Sequence, residues 1–393
     1  MKMTGRERLW ATLRGESVDW PAVSFYEIGG LRMDPSDRDP FNVYNDPSWK
    51  PLLDLAEKHT DIIRMRSPVR TDSHSAWGDS SQGQSLWNDY FKTQTREEKN
   101  RRITYITLTV GGRTMTSTTR RQADTDTIWT TEYLLKSKED LLAYLQLPDE
   151  VFAERVDVTP LLEEELRLGS RGIVMVDTED PLCAAATLFS MADYTIVAMT
   201  EQKLFHQLLE KVSRYIWRRT GIVARELPGR LWRIYGPEFA TEPYLPPHLF
   251  DEYVVRYAAP MVQTIKDTGG LARIHVHGRI RNVLPAIVRM GADAIDPIEP
   301  PPHGDVDLLH VRREYGKDLV LFGNLEIADI ENAEPAVFEK IVRQALAEGT
   351  TGKGRGFVLM PSASPVGRKV SARAMRNYET IVRVVHGLSS GSI

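Results

Sequence analysis

HVHGRIRNVLPAIVRMGADAIDPIEPPPHGDVDLLHVRREYGKDLVLFGNLE, residues 275–326, repeats one unit: a short apolar run ending in polar groups, then a helical stretch, then another such run. Its strands are the end of Leu271 to His277, then Ala294 to Ile298 and Leu319 to Phe322, with a helix from Arg279 to Met290 after the first. Alternating strands and helices of this size are the pattern of a parallel α/β architecture. Outward from this stretch the same kind of run recurs at Pro21 to Ile28, Asp61 to Arg66, Gly172 to Asp177, Leu231 to Tyr235 and Gly356 to Met360. That makes eight strands, the number that closes a (β/α)8, or TIM, barrel. Helical periodicity is clearest in Phe250, Val254, Tyr257, Met261 and Ile265, which recur at spacings of three and four up to Gly269-Gly270. Further helices are expected from Gln202 to Arg225, Glu334 to Ala347 and Ser371 to Val385. The chain therefore reads as one barrel domain over residues 1–393.

Trp77 to Leu135 breaks the rhythm. It is polar, rich in Thr and aromatic residues, and contains ITYITLTVGGRTMTSTT, a period-two run split by Gly111-Gly112. Such a run predicts an antiparallel hairpin insert after the second strand. It either covers the catalytic mouth, where long βα loops build substrate pockets, or decorates the surface.

A formal net charge of -4 gives no basic footprint, which argues against nucleic acid and for a small-molecule substrate. The single cysteine, Cys183, excludes a disulfide framework and an all-thiolate zinc site, and suits a reducing compartment such as the cytosol. In DPLCAAATLF it opens a small-residue helix and reads as packing. The opening MKMTGRERLWATLRG reads as an amphipathic helix capped by Thr4, with no apolar core of a secretion signal. No apolar run is long enough for a membrane helix.

Chemistry concentrates at strand ends. In Ile274-His275-Val276-His277-Gly278 the strand period of two puts both imidazoles on one face, the placement a divalent metal with nitrogen ligands needs. The same spacing also suits hydrogen-bonded mouth histidines. The next strand ends in Asp296 and Glu299, followed by a proline run and His303, which reads as a loop residue. Glu299 either completes a His/His/carboxylate metal set or acts as a general acid or base, whereas the structural alternative pairs Asp296 and Glu299 with arginines such as Arg279 or Arg64. Asp61 and Glu238 are further candidates for catalysis, and Asn324, Tyr235 and Asp177 for cofactor binding. Glu27, Arg64, Arg66, Glu179, Asp180 and Glu326 also lie at or near strand ends, where helix capping is the competing explanation for each.

Taken together, TGRERLWATLRGESVDWPAV at residues 4–23 and the stretch at 275–326 resemble the uroporphyrinogen-decarboxylase superfamily. The ordered features are a His-x-(Cys or His)-Gly strand, a Gly-Ala-Asp-Ala strand and a Gly-Asn strand. The resemblance implies a (β/α)8 barrel and one of two branches. The decarboxylases carry an N-terminal Arg-Gln-Ala-Gly-Arg stretch and a Phe-Ser-Asp strand; here the segments read SFYEIGGLRMDP and HTDIIRMRSP, so only Asp61 could match. The other branch, zinc-dependent methyltransferases that exchange a methyl group with a corrinoid protein, uses a His-x-Cys strand and a late cysteine. This chain resembles that branch more closely, with His275 at the first ligand position, His277 at the cysteine and Ala363 at the late cysteine.

The resemblance thus implies a metal-assisted methyltransferase. Zinc or another divalent metal would sit on His275 and His277 with Glu299, and would act on a small, O-methyl type substrate. Cobalamin would arrive on a separate corrinoid protein, because no corrinoid-binding domain is recognisable. One alternative is a decarboxylase of a tetrapyrrole or acidic aromatic, using Arg64, Arg66 and Arg70 for carboxylates and Asp61 for a ring nitrogen. Another is a non-catalytic corrinoid- or tetrapyrrole-binding barrel. Assembly is open between a monomer and a homodimer.

Overall fold

The computed structural model describes residues 2–71 and 86–389. In chain order its strands are β1 (Ala22–Val23), β2 (Ile62–Arg66), β3 (Val69–Thr71), β4 (Phe91–Glu98), β5 (Arg101–Val110), β6 (Arg113–Gln122) and β7 (Ile128–Glu132). They continue with β8 (Arg155–Asp157), β9 (Gly172–Glu179), β10 (Leu231–Tyr235), β11 (Leu271–Val276), β12 (Ala294–Pro297), β13 (Val320–Leu325) and β14 (Phe357–Pro361). Eight of them form one parallel sheet in the order β1-β14-β13-β12-β11-β10-β9-β2. The ends of that sheet meet through Asp61, whose backbone N–H donates to Val23 O at 2.7 Å while its carboxylate accepts from Val23 N at 3.1 Å. The fold is a (β/α)8 barrel.

Period-two alternation sorts the strand residues between two cores. Ile63, Ile173, Met175, Leu231, Ala294, Val320 and Val358 face inward, and Leu9 and Leu13 of the first helix, Gly5–Arg14, pack onto the same cluster. That helix starts as its sequence predicts, with a capping box in which Thr4 and Glu7 satisfy each other's backbone N–H groups. The larger core lies between the barrel and its helices. There the 25-residue helix Gln202–Glu226 packs against the helical run that includes Arg256–Asp267.

Going up the barrel, the interior changes character. Arg233 and Arg273 stand in register one layer above Leu231 and Leu271, and Tyr235 and His275 stand in register one layer higher. The inside is apolar at the N-terminal end and ionic at the C-terminal end, which places polar chemistry at the mouth. Among the described residues no helix is long and apolar enough to cross a membrane.

The insert after β2 is antiparallel, as its pattern predicts, and larger than one hairpin: β4-β5-β6-β7 form a four-stranded meander. The Gly111-Gly112 turn joins β5 to β6, with both glycines at positive φ. The expected start of the insert, residues 77–85, lies outside the described residues. β3 pairs with β8 in a separate two-stranded ribbon.

Candidate active site

At the top of β11, His275 and His277 face the same side with ring centroids 4.6 Å apart and planes at 88°. Each is braced through Nδ1 by a carboxylate: His275 to Asp296 at 2.8 Å and His277 to Glu299 at 2.8 Å. Asp296 is in register with His275 on β12. Glu299 lies just beyond that strand, next to Ile298, which holds a positive φ of 57°. A β-branched residue there is strained, a cost of order 1–3 kcal/mol that tends to mark functional sites.

Electrostatics fix the tautomers. Burial alone would raise Asp296, but the Arg273 guanidinium 3.0 Å away and His275 outweigh it and hold the carboxyl down to about 2. Burial pushes His275 down to about 3 against the opposing pull of Asp296, so the ring is neutral. A neutral ring facing an ionised carboxylate must carry its proton on Nδ1, which makes Nε2 the acceptor nitrogen of the ring. Burial also lowers His277, but the Glu299 hydrogen bond and charge prevail and raise it.

Below the pair, the phenol of Tyr26 stands 3.4 Å from His275 Nε2 and takes a hydrogen bond from Arg233. Arg233 is also bound by Asp177 at 2.6 Å and lies 3.6 Å from Glu27. Burial lowers Arg233, yet Asp177, Tyr26 and Glu27 raise it overall, so it is a permanent cation. Tyr26 is held at φ 42°, a second strained residue at this site. Sequence reasoning missed Tyr26 and Arg233. Arg233 was visible only as a charged residue in an apolar strand run, and nothing in the sequence marks Tyr26.

The expected residues fall into three groups. His275, His277, Glu299 and Asp296 are brought together, and Asp177 joins them through Arg233. Glu299 accepts from His277 Nδ1 with one oxygen and from the Gly278 N–H at 2.8 Å with the other, so in this structure it braces His277. Glu238, on the turn Pro237–Ala240, is half-buried near His277, and its buried Oε2 has no hydrogen-bond partner among the described residues. Burial raises its pKa. Tyr235 and Asn324 sit on the inner face near the mouth, with Asn324 half-buried.

Asp61 is not brought to this site. It precedes β2 at the opposite end of the barrel, where it pairs with Arg8. Arg64 faces Glu164 at 3.4 Å. Two members of the set expected under the decarboxylase alternative, Asp61 and Arg64, are thus engaged elsewhere, and the Arg70 side chain lies outside the described residues. The structural pairing expected of Asp296 and Glu299 is with Arg273 and the two histidines, in place of Arg279 or Arg64. His303 is exposed in its loop, and Cys183 is half-buried in a helix start capped by Asp180.

The family model of uroporphyrinogen decarboxylase (URO-D) matches residues 129–376, more than half of the chain. The chain belongs to the URO-D family. Among solved structures, this URO-D chain is similar to a methyltransferase from Methanosarcina mazei, with a TM-score of 0.60 and 13% identity over 98% of this chain and 99% of that one. A D-psicose 3-epimerase solved with D-fructose matches more loosely, with a TM-score of 0.31 and 14% identity over 59% of this chain and 94% of that one. No curated protein matches. At such identities the structural likeness speaks to the fold alone.

The metal implied by the resemblance can be tested on the donor set. Thiolates are absent from both family positions, since His277 and Ala363 occupy them. Among the described residues no three His, Cys, Asp or Glu side chains converge into a complete ligand set. What does fit is the pair of imidazoles: metal-binding histidines characteristically give their other ring N–H to a carboxylate, as both do here. The arrangement suits an ion held by two protein nitrogens with its remaining positions open.

Proposed function

We propose that this URO-D family protein is a methyltransferase that takes a methyl group from a small O-methyl compound, with a separate corrinoid protein as the other partner. The observation that carries the reading is the double brace, Asp296 on His275 and Glu299 on His277. It holds both imidazoles by Nδ1–H and leaves each Nε2 as the nitrogen a metal would meet, His275 as a neutral ring and His277 on giving up its second proton. Zinc or another divalent ion held by His275 and His277 supplies Lewis acidity at the oxygen that carries the methyl group. A corrinoid delivered to the barrel mouth supplies the methyl acceptor.

The chain's own residues do the rest. Asp296 and Glu299 keep the imidazoles in one orientation. Arg233, tied to Asp177, keeps the Tyr26 hydroxyl next to His275, where it can donate a hydrogen bond to an oxygen of the substrate. As the C–O bond breaks, the electron pair stays on that oxygen and the methyl departs to the acceptor; the Tyr26 donor eases the charge that develops. Nitrogen donors in place of thiolates make a harder site, which favours an oxygen leaving group over a thiolate.

The test is demethylation of 2-methoxyphenol by the zinc-loaded protein with reduced cobalamin, read as 1,2-dihydroxybenzene by chromatography. Product that disappears in a His275→Ala, His277→Ala variant supports the reading. No product from 2-methoxyphenol or other small methoxy compounds, with carbon dioxide released from an acidic aromatic instead, would replace it with the decarboxylase reading.

A further inference from the structure

Between the insert and the barrel mouth lies a cavity of about 520 Å3, in the size range of small-molecule sites. Trp87, Phe91, Ile106 and Ile128 from the insert side form one wall, and Tyr235 and Phe239 from the mouth form part of the other. Tyr235 is in register with His275 on the neighbouring strand, one inter-strand spacing of about 4.8 Å away in the sheet. Tyr235 thus lines the cavity one strand away from His275, while the two histidines themselves stand outside its lining. The insert-side wall, residues 87–128, precedes the span that the family model matches.

Three features of the lining define what fits. Aromatic faces dominate: Trp87 stacks on Phe91 at 3.7 Å and Phe152 on Tyr215 at 5.2 Å, which favours a flat ring. Hydroxyls of Ser117, Thr119, Thr127 and Thr130 provide neutral hydrogen-bonding groups. No Lys, Arg or His is among the described lining residues, and the two charged ones, Glu154 and Glu179, both pair with Arg219, at 3.1 and 2.8 Å. A carboxylate entering here would lose its water and find no cation among the described lining residues.

We propose that this cavity binds an uncharged aromatic methyl ether and that the insert makes the protein selective against acidic aromatics. The methyl-ether part rests on the methyltransferase reading; the charge selectivity does not. The experiment is calorimetric titration of the full chain, without corrinoid, using three probes: 2-methoxyphenol, its carboxylated analogue 4-hydroxy-3-methoxybenzoate, and benzyltrimethylammonium. The first binds, and the second binds at least roughly tenfold more weakly. In a Thr119→Lys variant, which adds a cation to the insert wall at a half-buried position, the gap narrows or reverses. Equal or tighter binding of the acid by the unmodified protein overturns the proposal, as does tighter binding of the ammonium ion, which would make the cavity a cation site. Selective binding of 2-methoxyphenol without its demethylation upholds the cavity's selectivity while defeating the methyltransferase reading, so the two failures are distinguishable.

Discussion

Glu299 spends both oxygens at once, one on His277 Nδ1 and one on the Gly278 N–H. From sequence it was a candidate ligand or general base, and no spacing rule could have told a brace from a ligand, because the two differ only in which atom the carboxylate meets. The histidine pair itself was legible, since strand period alone puts residues 275 and 277 on one face. Asp296 and Glu299 were legible as neighbours, but their assignment to the two imidazoles depends on the β11-β12 register. The brace is testable. Glu299→Gln keeps the shape but gives up the charge and one acceptor, so the protein should still bind zinc, with affinity reduced by about tenfold in a competitive chelator titration. Complete loss of binding would make Glu299 a direct ligand instead.

The strands were legible because buried parallel strands are short apolar runs with turn residues at each end. Leu231–Tyr235 is found with the expected bounds, and β9 and β13 run two or three residues past theirs. The expected helix from Arg279 to Met290 shrinks to Leu284–Arg289, because the chain after Gly278, at positive φ, first forms turns. The insert's strand character and its β5-β6 hairpin were legible, but the added pairings of β4 and β7 were not, since those strands bury little of either face. Ion pairs hold the insert down: Arg102 of β5 binds Asp39 at 2.9 Å, and Arg113 of β6 binds Asp140 at 2.7 Å. Burial opposes ionisation of both carboxyls, yet these arginines and nearby backbone N–H groups outweigh it and lower both pKa values. A depressed carboxyl stabilises the docked state above its free value, and that contribution is lost as pH falls through the lowered one. Trp129 fluorescence should therefore report loosening of the insert as pH falls from about 4 toward about 2, with no comparable change between about 5 and about 7. A transition in the upper window would contradict this assignment.

Over the whole molecule, one barrel was legible from the count of strands, but the way it closes was not. Two short strands, β1 and β2, have to meet, and Asp61 joins them through its backbone and its carboxylate while Arg8 neutralises it. A buried aspartate near the mouth-forming strand looks the same in sequence as one at the base. Asp61→Ala leaves Arg8 short of a partner, with both side chains only 4% exposed, and should lower stability by about 3 kcal/mol in denaturant unfolding. Metal content and substrate binding should be unchanged in the folded fraction. Loss of metal without loss of stability would return Asp61 to the active site.

The most direct measurement is elemental analysis of the purified protein beside a His275→Ala, His277→Ala variant prepared under the same conditions. The proposed site predicts about one transition-metal ion per chain in the parent, and none in a variant that still folds. No metal in either protein, or metal that survives the double substitution, would contradict it.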